Sequence, residues 1–126
     1  MRTIELRDEI PPDDGVVVVR GGQMNSDFVI RTASRTFDEI GLWTVSVFVT
    51  AGSVLELCRS VVELERYGKV RLSKVGRLRS LGFVLIPTLS FPHFDVLLPD
   101  LEGSTLDRLE LAFDVPIPNP ARKGNV

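Results

Sequence analysis

The stretch Pro11-Pro12-Asp13-Asp14-Gly15-Val16-Val17-Val18-Val19-Arg20 decides the fold class. Proline fixes φ, aspartate bonds back to its own backbone and glycine accepts positive φ, so residues 11–15 read as a tight turn. Four consecutive β-branched residues then read as a strand buried on both faces. That puts the strand near the centre of a sheet with helices packed on it.

Working outward, Asn25 or Ser26 caps a helix that runs to about residue 40, with Val29, Ala33, Phe37 and Ile40 at helical spacing and Gly41 as its C-terminal cap. Residues 42–49 (LWTVSVFV) read as a second strand. Ser53-Val54-Leu55-Glu56 is a capping box, and Leu57, Cys58, Val61 and Leu64 continue as one apolar stripe, so a helix is expected over 53–67. A short strand over 70–72 precedes a short helix capped by Ser73. Strands over 83–86 and 94–98 follow, and then a helix opened by Ser104. An additional strand over 3–6 is open. Residues 116–126 read as a proline-rich tail, extended over the surface and frayed at its end.

The order β-α-β-α-β-α-β-β-α predicts an α+β (mixed α/β) domain: a mixed sheet of about five strands with three to four helices packed on it. The 126 residues suit a single domain, and 44% hydrophobic with 25% charged residues is an ordinary globular composition. One cysteine, Cys58, leaves no internal disulfide to form. The charged N-terminus has no signal-peptide core, and the longest apolar run, 81–92, is too short for a membrane span and is broken by Pro87 and Pro92. A cytoplasmic protein with no membrane association is expected.

A formal net charge of −2 does not suit a general nucleic-acid binder, so nucleic acid is possible as a partner but not favoured. The charge is uneven along the chain, because residues 66–94 carry basic side chains and no acid. Lys69, Arg71, Lys74, Arg77 and Arg79 read either as a solvated face or as a positive surface for an anion or an acidic partner. No aromatic residue is interleaved between Lys69 and Arg79, which counts against binding by base stacking. Arg31 and Arg35 lie one helical turn apart and, with Arg20, could clamp an anion; Arg35 could equally pair with Glu39.

In Pro92-His93-Phe94-Asp95, His93 and Asp95 project to one face of a strand, where Asp95 could hold a tautomer and His93 could act as general base. A strand-entry histidine beside a solvated aspartate fits the same pattern. There is no CxxC, no HExxH and no Walker loop, so no metal site and no bound cofactor is expected. Cys58, on the apolar stripe, reads as core rather than as a nucleophile.

Val19-Arg20-Gly21, Ser46 within Val45-Ser46-Val47-Phe48, and Asp95 before Val96-Leu97-Leu98-Pro99 together resemble the skeleton of the arginine-type ADP-ribosyltransferases. The resemblance implies that NAD is a substrate, that Arg20 grips its phosphates, that Ser46 orders the site, and that Asp95 stabilises the oxocarbenium-like ribose. The chain departs from that family in carrying Asp rather than Glu, with His93 two positions before it. It also resembles members of small bacterial toxin–antitoxin or toxin–immunity pairs.

The functional expectation is a toxin-like or effector-like domain acting on a nucleotide or nucleic-acid substrate, with Arg20, Ser46, His93 and Asp95 around one cleft. The alternative is a non-catalytic immunity protein or antitoxin that holds an acidic partner, its cognate toxin, through residues 66–79. Substrate, partner and oligomeric state are not written in the sequence.

Overall fold

The computed structural model describes residues 5–20 and 24–121. Of the possible strand over 3–6, residues 3 and 4 lie outside the described residues, as do Gly21 and the chain end, and residues 5 and 6 are in no strand. The valine run forms β1 (Val16–Arg20), in which Val17, Val18 and Val19 are at most 1% exposed. In the turn before it the Gly15 N–H donates to the Pro12 carbonyl at 2.9 Å. A Cβ at Gly15 would stand 3.0 Å from that same oxygen and 3.2 Å from the Val49 and Val75 side chains, so close approach, not the positive φ expected of this turn, favours glycine.

Helix α1 (Ser26–Ile40) starts on Asn25, whose Oδ1 accepts the Phe28 N–H at 3.0 Å, and stops at Gly41 with φ 79°. Strand β2 (Thr44–Thr50) follows. Next come α2 (Val54–Ser60), α3 (Val62–Glu65) and β3 (Lys69–Lys74). The chain then forms α4 (Val75–Ser80), β4 (Val84–Ile86), β5 (His93–Leu97), α5 (Gly103–Ala112) and β6 (Ile117–Pro118).

The helix expected over 53–67 is two helices. Ser53 caps as expected, its Oγ accepting the Glu56 N–H at 3.3 Å. Ser60 then donates its hydroxyl back to the Leu57 carbonyl at 3.1 Å, and Val61 turns extended at φ −102°, ψ 110°. A serine competing for the backbone and two adjacent β-branched valines disfavour continuation. The break preserves the stripe: Leu57, Cys58, Val61 and Leu64 are all buried. Burial pushes the Cys58 thiol pKa up.

Ser73 does not cap α4. It lies in β3 and donates to the Ala112 carbonyl at 2.6 Å. Helix α5 begins one residue before the expected serine. Its start is organised by Asp100, whose Oδ1 accepts the Thr105 hydroxyl at 2.6 Å and the Glu102 N–H at 3.0 Å. The hydroxyl first, then the backbone N–H, holds the Asp100 carboxyl below its ordinary pKa. The tail is extended, as expected, but pairs with β3 as an edge strand.

The protein is an α+β domain built on one six-stranded sheet in the order β4-β5-β2-β1-β3-β6. Among the described residues every pairing is antiparallel, where a mixed sheet was expected. The helical crossover through α2 and α3 does join two strands of the same direction, β2 and β3. However, β1 lies between them and is antiparallel to both.

Alternation divides the sheet into two faces. On one, Val17, Val19, Val45, Val47, Phe94 and Val96 pack against α1, α4 and α5. On the other, Val18, Phe48 and Val70 are covered by Leu57, Cys58, Val61 and Leu64. This second cover sits over β1, β3 and the Phe48 end of β2, and the polar positions of β2 and β5 lie beside it. Among the described residues no helix is long and apolar enough to cross a membrane.

Candidate functional site

Strands β2 and β5 are paired so that Ser46 faces Asp95 and Phe48 faces His93. Directly opposed residues share a sheet face, so Ser46, His93 and Asp95 point the same way, with Thr44 two residues before Ser46. They form the floor of a pocket of about 340 Å³ together with Thr88. Glu5 and Leu89 stand on one side, and Thr36, Glu39 and Ile40 of the C-terminal part of α1 on another. Thr36 anchors that wall, its Oγ1 accepting the Thr44 N–H at 3.0 Å.

The floor is one hydrogen-bonded chain. Ser46 Oγ donates to Asp95 Oδ1 at 3.2 Å, and Thr88 Oγ1 donates to Asp95 Oδ2 at 2.8 Å. Thr88 has a single hydroxyl proton, which this bond uses, so the 2.9 Å contact between Thr88 Oγ1 and His93 Nδ1 needs the proton on Nδ1. The Thr88 carbonyl, an acceptor only, lies 3.2 Å from the same nitrogen and requires the same proton. The contacts thus select the Nδ1–H tautomer. Nε2 has no partner among the described residues, and in the neutral ring it carries the lone pair. Asp95 is 7% exposed and His93 9%, and the imidazole stands edge-on to the Phe48 ring at 5.4 Å.

Thr88 lies in the β4–β5 loop and His93 opens β5 at the loop's end, and Arg7 fixes both. Its Nη1 donates to the carbonyls of Thr88 (2.6 Å) and Leu89 (2.9 Å), and its Nη2 donates to that of His93 (2.9 Å). Its Nε donates to Glu9 at 2.9 Å, with a further Nη2 contact to Glu9 at 3.3 Å. The guanidinium lies 5.1 Å from the centroid of the Phe94 ring. Leu89 sits at φ 54°, a left-handed conformation costly for a leucine, and the Phe91–Pro92 bond is cis.

The structure brings together three of the four expected catalytic residues. Arg20 shares the face of Val18, Phe48 and hence Asp95, but it does not line the pocket, and its guanidinium lies 5.6 Å from the Tyr67 ring centroid. Arg31 and Arg35 are exposed on α1 and also stand outside the wall.

The basic stretch is not one surface. Arg71 donates to the carbonyls of Asp114 (2.9 Å) and Phe113 (3.3 Å), and Arg77 donates to Ala112 O (2.9 Å) and pairs with Asp114 (3.0 Å). Both therefore satisfy the C-terminal end of α5, where cations are favoured. Arg79 pairs with Asp13 at 2.6 Å, and Lys74 Nζ lies 3.5 Å from the Asp14 carbonyl. Lys69 is exposed, and alternation along β3 sends Lys69 and Arg71 to one face and Lys74 to the other.

Sequence reasoning missed Thr88, Thr44 and Arg7. Thr44 is fully buried in the pocket wall, and its Oγ1 has no hydrogen-bond partner among the described residues. A buried hydroxyl without a partner is the kind of group that a ligand completes. Among the described residues no three His, Cys, Asp or Glu side chains are grouped to hold a metal ion. Together these features define an α+β domain with a small polar pocket at the junction of β2, β5 and the β4–β5 loop. Comparison with protein-family models, with curated proteins and with solved structures finds no match to this chain.

Proposed function

We propose that this domain is a small effector-like enzyme that binds a nucleoside-type substrate in the Ser46–Asp95 pocket and moves a proton on it. The observation that carries the reading is the His93–Thr88–Asp95–Ser46 chain, whose proton directions are fixed by its own contacts. Fixing Nδ1–H leaves His93 Nε2 as a proton acceptor, the role of a general base. The Ser46 hydroxyl directs its proton at Asp95, so its lone pairs are left to accept from a ligand hydroxyl. Thr44 Oγ1 supplies a further unmatched group. A volume of about 340 Å³ lies at the lower end for small-molecule sites.

The ribose and base of a nucleotide suit this pocket better than its phosphates, because among the described residues no Lys or Arg lines the wall. In the transferase-like form of the reading, NAD is the substrate, Asp95 meets the ribose and Ser46 orders the site. Arg20 would have to leave the Tyr67 ring to reach the phosphates. With its single cysteine buried, the domain needs no oxidising compartment, and a cytoplasmic site of action belongs to the same proposal.

The second reading, a non-catalytic toxin partner or immunity protein, is favoured by one observation. Val62, Leu89 and Phe91 are 72%, 75% and 64% exposed around a groove between α3 and the β4–β5 loop. Such an apolar rim suits a protein partner.

Nuclear magnetic resonance titration with adenosine, uridine and NAD separates the two. The first reading expects shifts centred on Thr44, Ser46 and His93, with affinity about tenfold weaker or less in Asp95→Asn. No shift at these residues with millimolar ligand would overturn it and leave the interaction reading.

A further inference from the structure

We propose that the pocket takes an organic monocation, its charge against Asp95 and a hydrogen-bonding group on Thr44 Oγ1; this rests on the reading of the pocket as a small-molecule site. Asp95 is buried, and the groups that meet its two oxygens are the hydroxyls of Ser46 and Thr88. Hydroxyls solvate a carboxylate but bring no charge, and a buried carboxylate is ordinarily matched by a cation. His93 does not supply that match directly, because it donates to Thr88 and not to Asp95.

The rest of the pocket points the same way. Among the described residues Glu5 stands in its wall, and no Lys or Arg does. An anionic ligand would meet the Asp95 carboxylate, and a neutral one would leave it unmatched. Thr44 Oγ1, buried in the same wall without a partner, is an independent sign that a group is missing there. The donor set does not suit a metal ion, since no three His, Cys, Asp or Glu side chains are grouped among the described residues. An ammonium or amidinium group fits instead: its N–H donors meet the remaining lone pairs of Asp95 and Ser46.

The probes are benzamidine, a cation, and benzamide, its neutral counterpart of nearly the same shape, titrated by nuclear magnetic resonance into the folded protein. Benzamidine should bind about tenfold tighter or more, with shifts at Thr44, Ser46 and Asp95. Asp95→Asn should bring the two affinities close together, whereas Thr44→Val should weaken both and keep their ratio. Equal or tighter binding of benzamide overturns the inference, as does a ratio that survives Asp95→Asn. If nucleosides bind and the cation preference is absent, this inference fails alone. If neither nucleosides nor either probe binds, the small-molecule reading fails with it.

Discussion

Arg7 spends every N–H of its guanidinium on two targets, the β4–β5 loop and Glu9. Its backbone N–H adds a bond to the Pro87 carbonyl at 3.0 Å. The result is that the loop residue Thr88 is tied to His93, the first residue of β5. Arg7→Ala should cost roughly 1.5–3 kcal/mol, the range for a lost hydrogen bond from a charged group. Arg7→Lys should recover part of this, because an ammonium is a point donor and cannot span three carbonyls as a planar fork does. The second readout is the ¹⁵N signature of His93, which should show the Nδ1–H tautomer in the parent and a mixture in Arg7→Ala. A stability change within about 0.5 kcal/mol together with an unchanged tautomer would remove the positioning role. At this scale the sequence was partly legible. His93 and Asp95 fall on one face by the two-residue period of a strand, and Ser46 joins them through strand pairing. Thr88 enters through a contact with Arg7 across 81 positions, which no local pattern encodes.

The elements were legible where local chemistry decides them. Asn25, Gly41, Ser53 and the valine run each carry their own cause, and each does what its chemistry predicts. The 53–67 helix was overextended because an apolar stripe at helical spacing survives a kink, so periodicity alone does not reveal the break at Val61. The basic stretch was ambiguous for a related reason. Whether Arg71 and Arg77 face water or the last carbonyls of α5 depends on where a helix some thirty residues later docks. The α2 stripe makes a separate, checkable claim about pH. Burial raises the Cys58 pKa in the folded state, so its contribution to stability is complete below the ordinary thiol pKa and is lost as pH rises through the folded value. Denaturant melts from neutral to alkaline pH should therefore fall more steeply for the parent than for Cys58→Ala, which keeps every other titrating group. Parallel slopes for the two proteins would show that the thiol is not held in a desolvated site.

On the scale of the whole molecule, the pocket follows from how the sheet is covered. Three helices close one face along its length, while α2 and α3 close the other face only over β1, β3 and the Phe48 end of β2. The uncovered β2–β5 part can therefore carry Ser46, His93 and Asp95 at the cost of little apolar burial. That partial cover depends on its outer edge being fixed, and the fixing comes from the chain's last described segment. Asn119 is 2% exposed; its Nδ2 donates to the carbonyls of Leu64 and Tyr67, both at 2.8 Å, and its N–H donates to Gly68 at 2.9 Å. One side chain thus caps α3, ties it to the outer end of β3 and holds β6 in register with Lys69 and Val70. Asn119→Ala leaves two carbonyls without their donor, and should cost about 1–3 kcal/mol. The loss should be local first: faster amide exchange in β6, α3 and the start of β3, with β2 and β5 unchanged. Binding in the Ser46–Asp95 pocket should accordingly survive the substitution. Uniform loss of protection across the sheet would mean instead that the α2–α3 cover and the pocket side unfold as one unit.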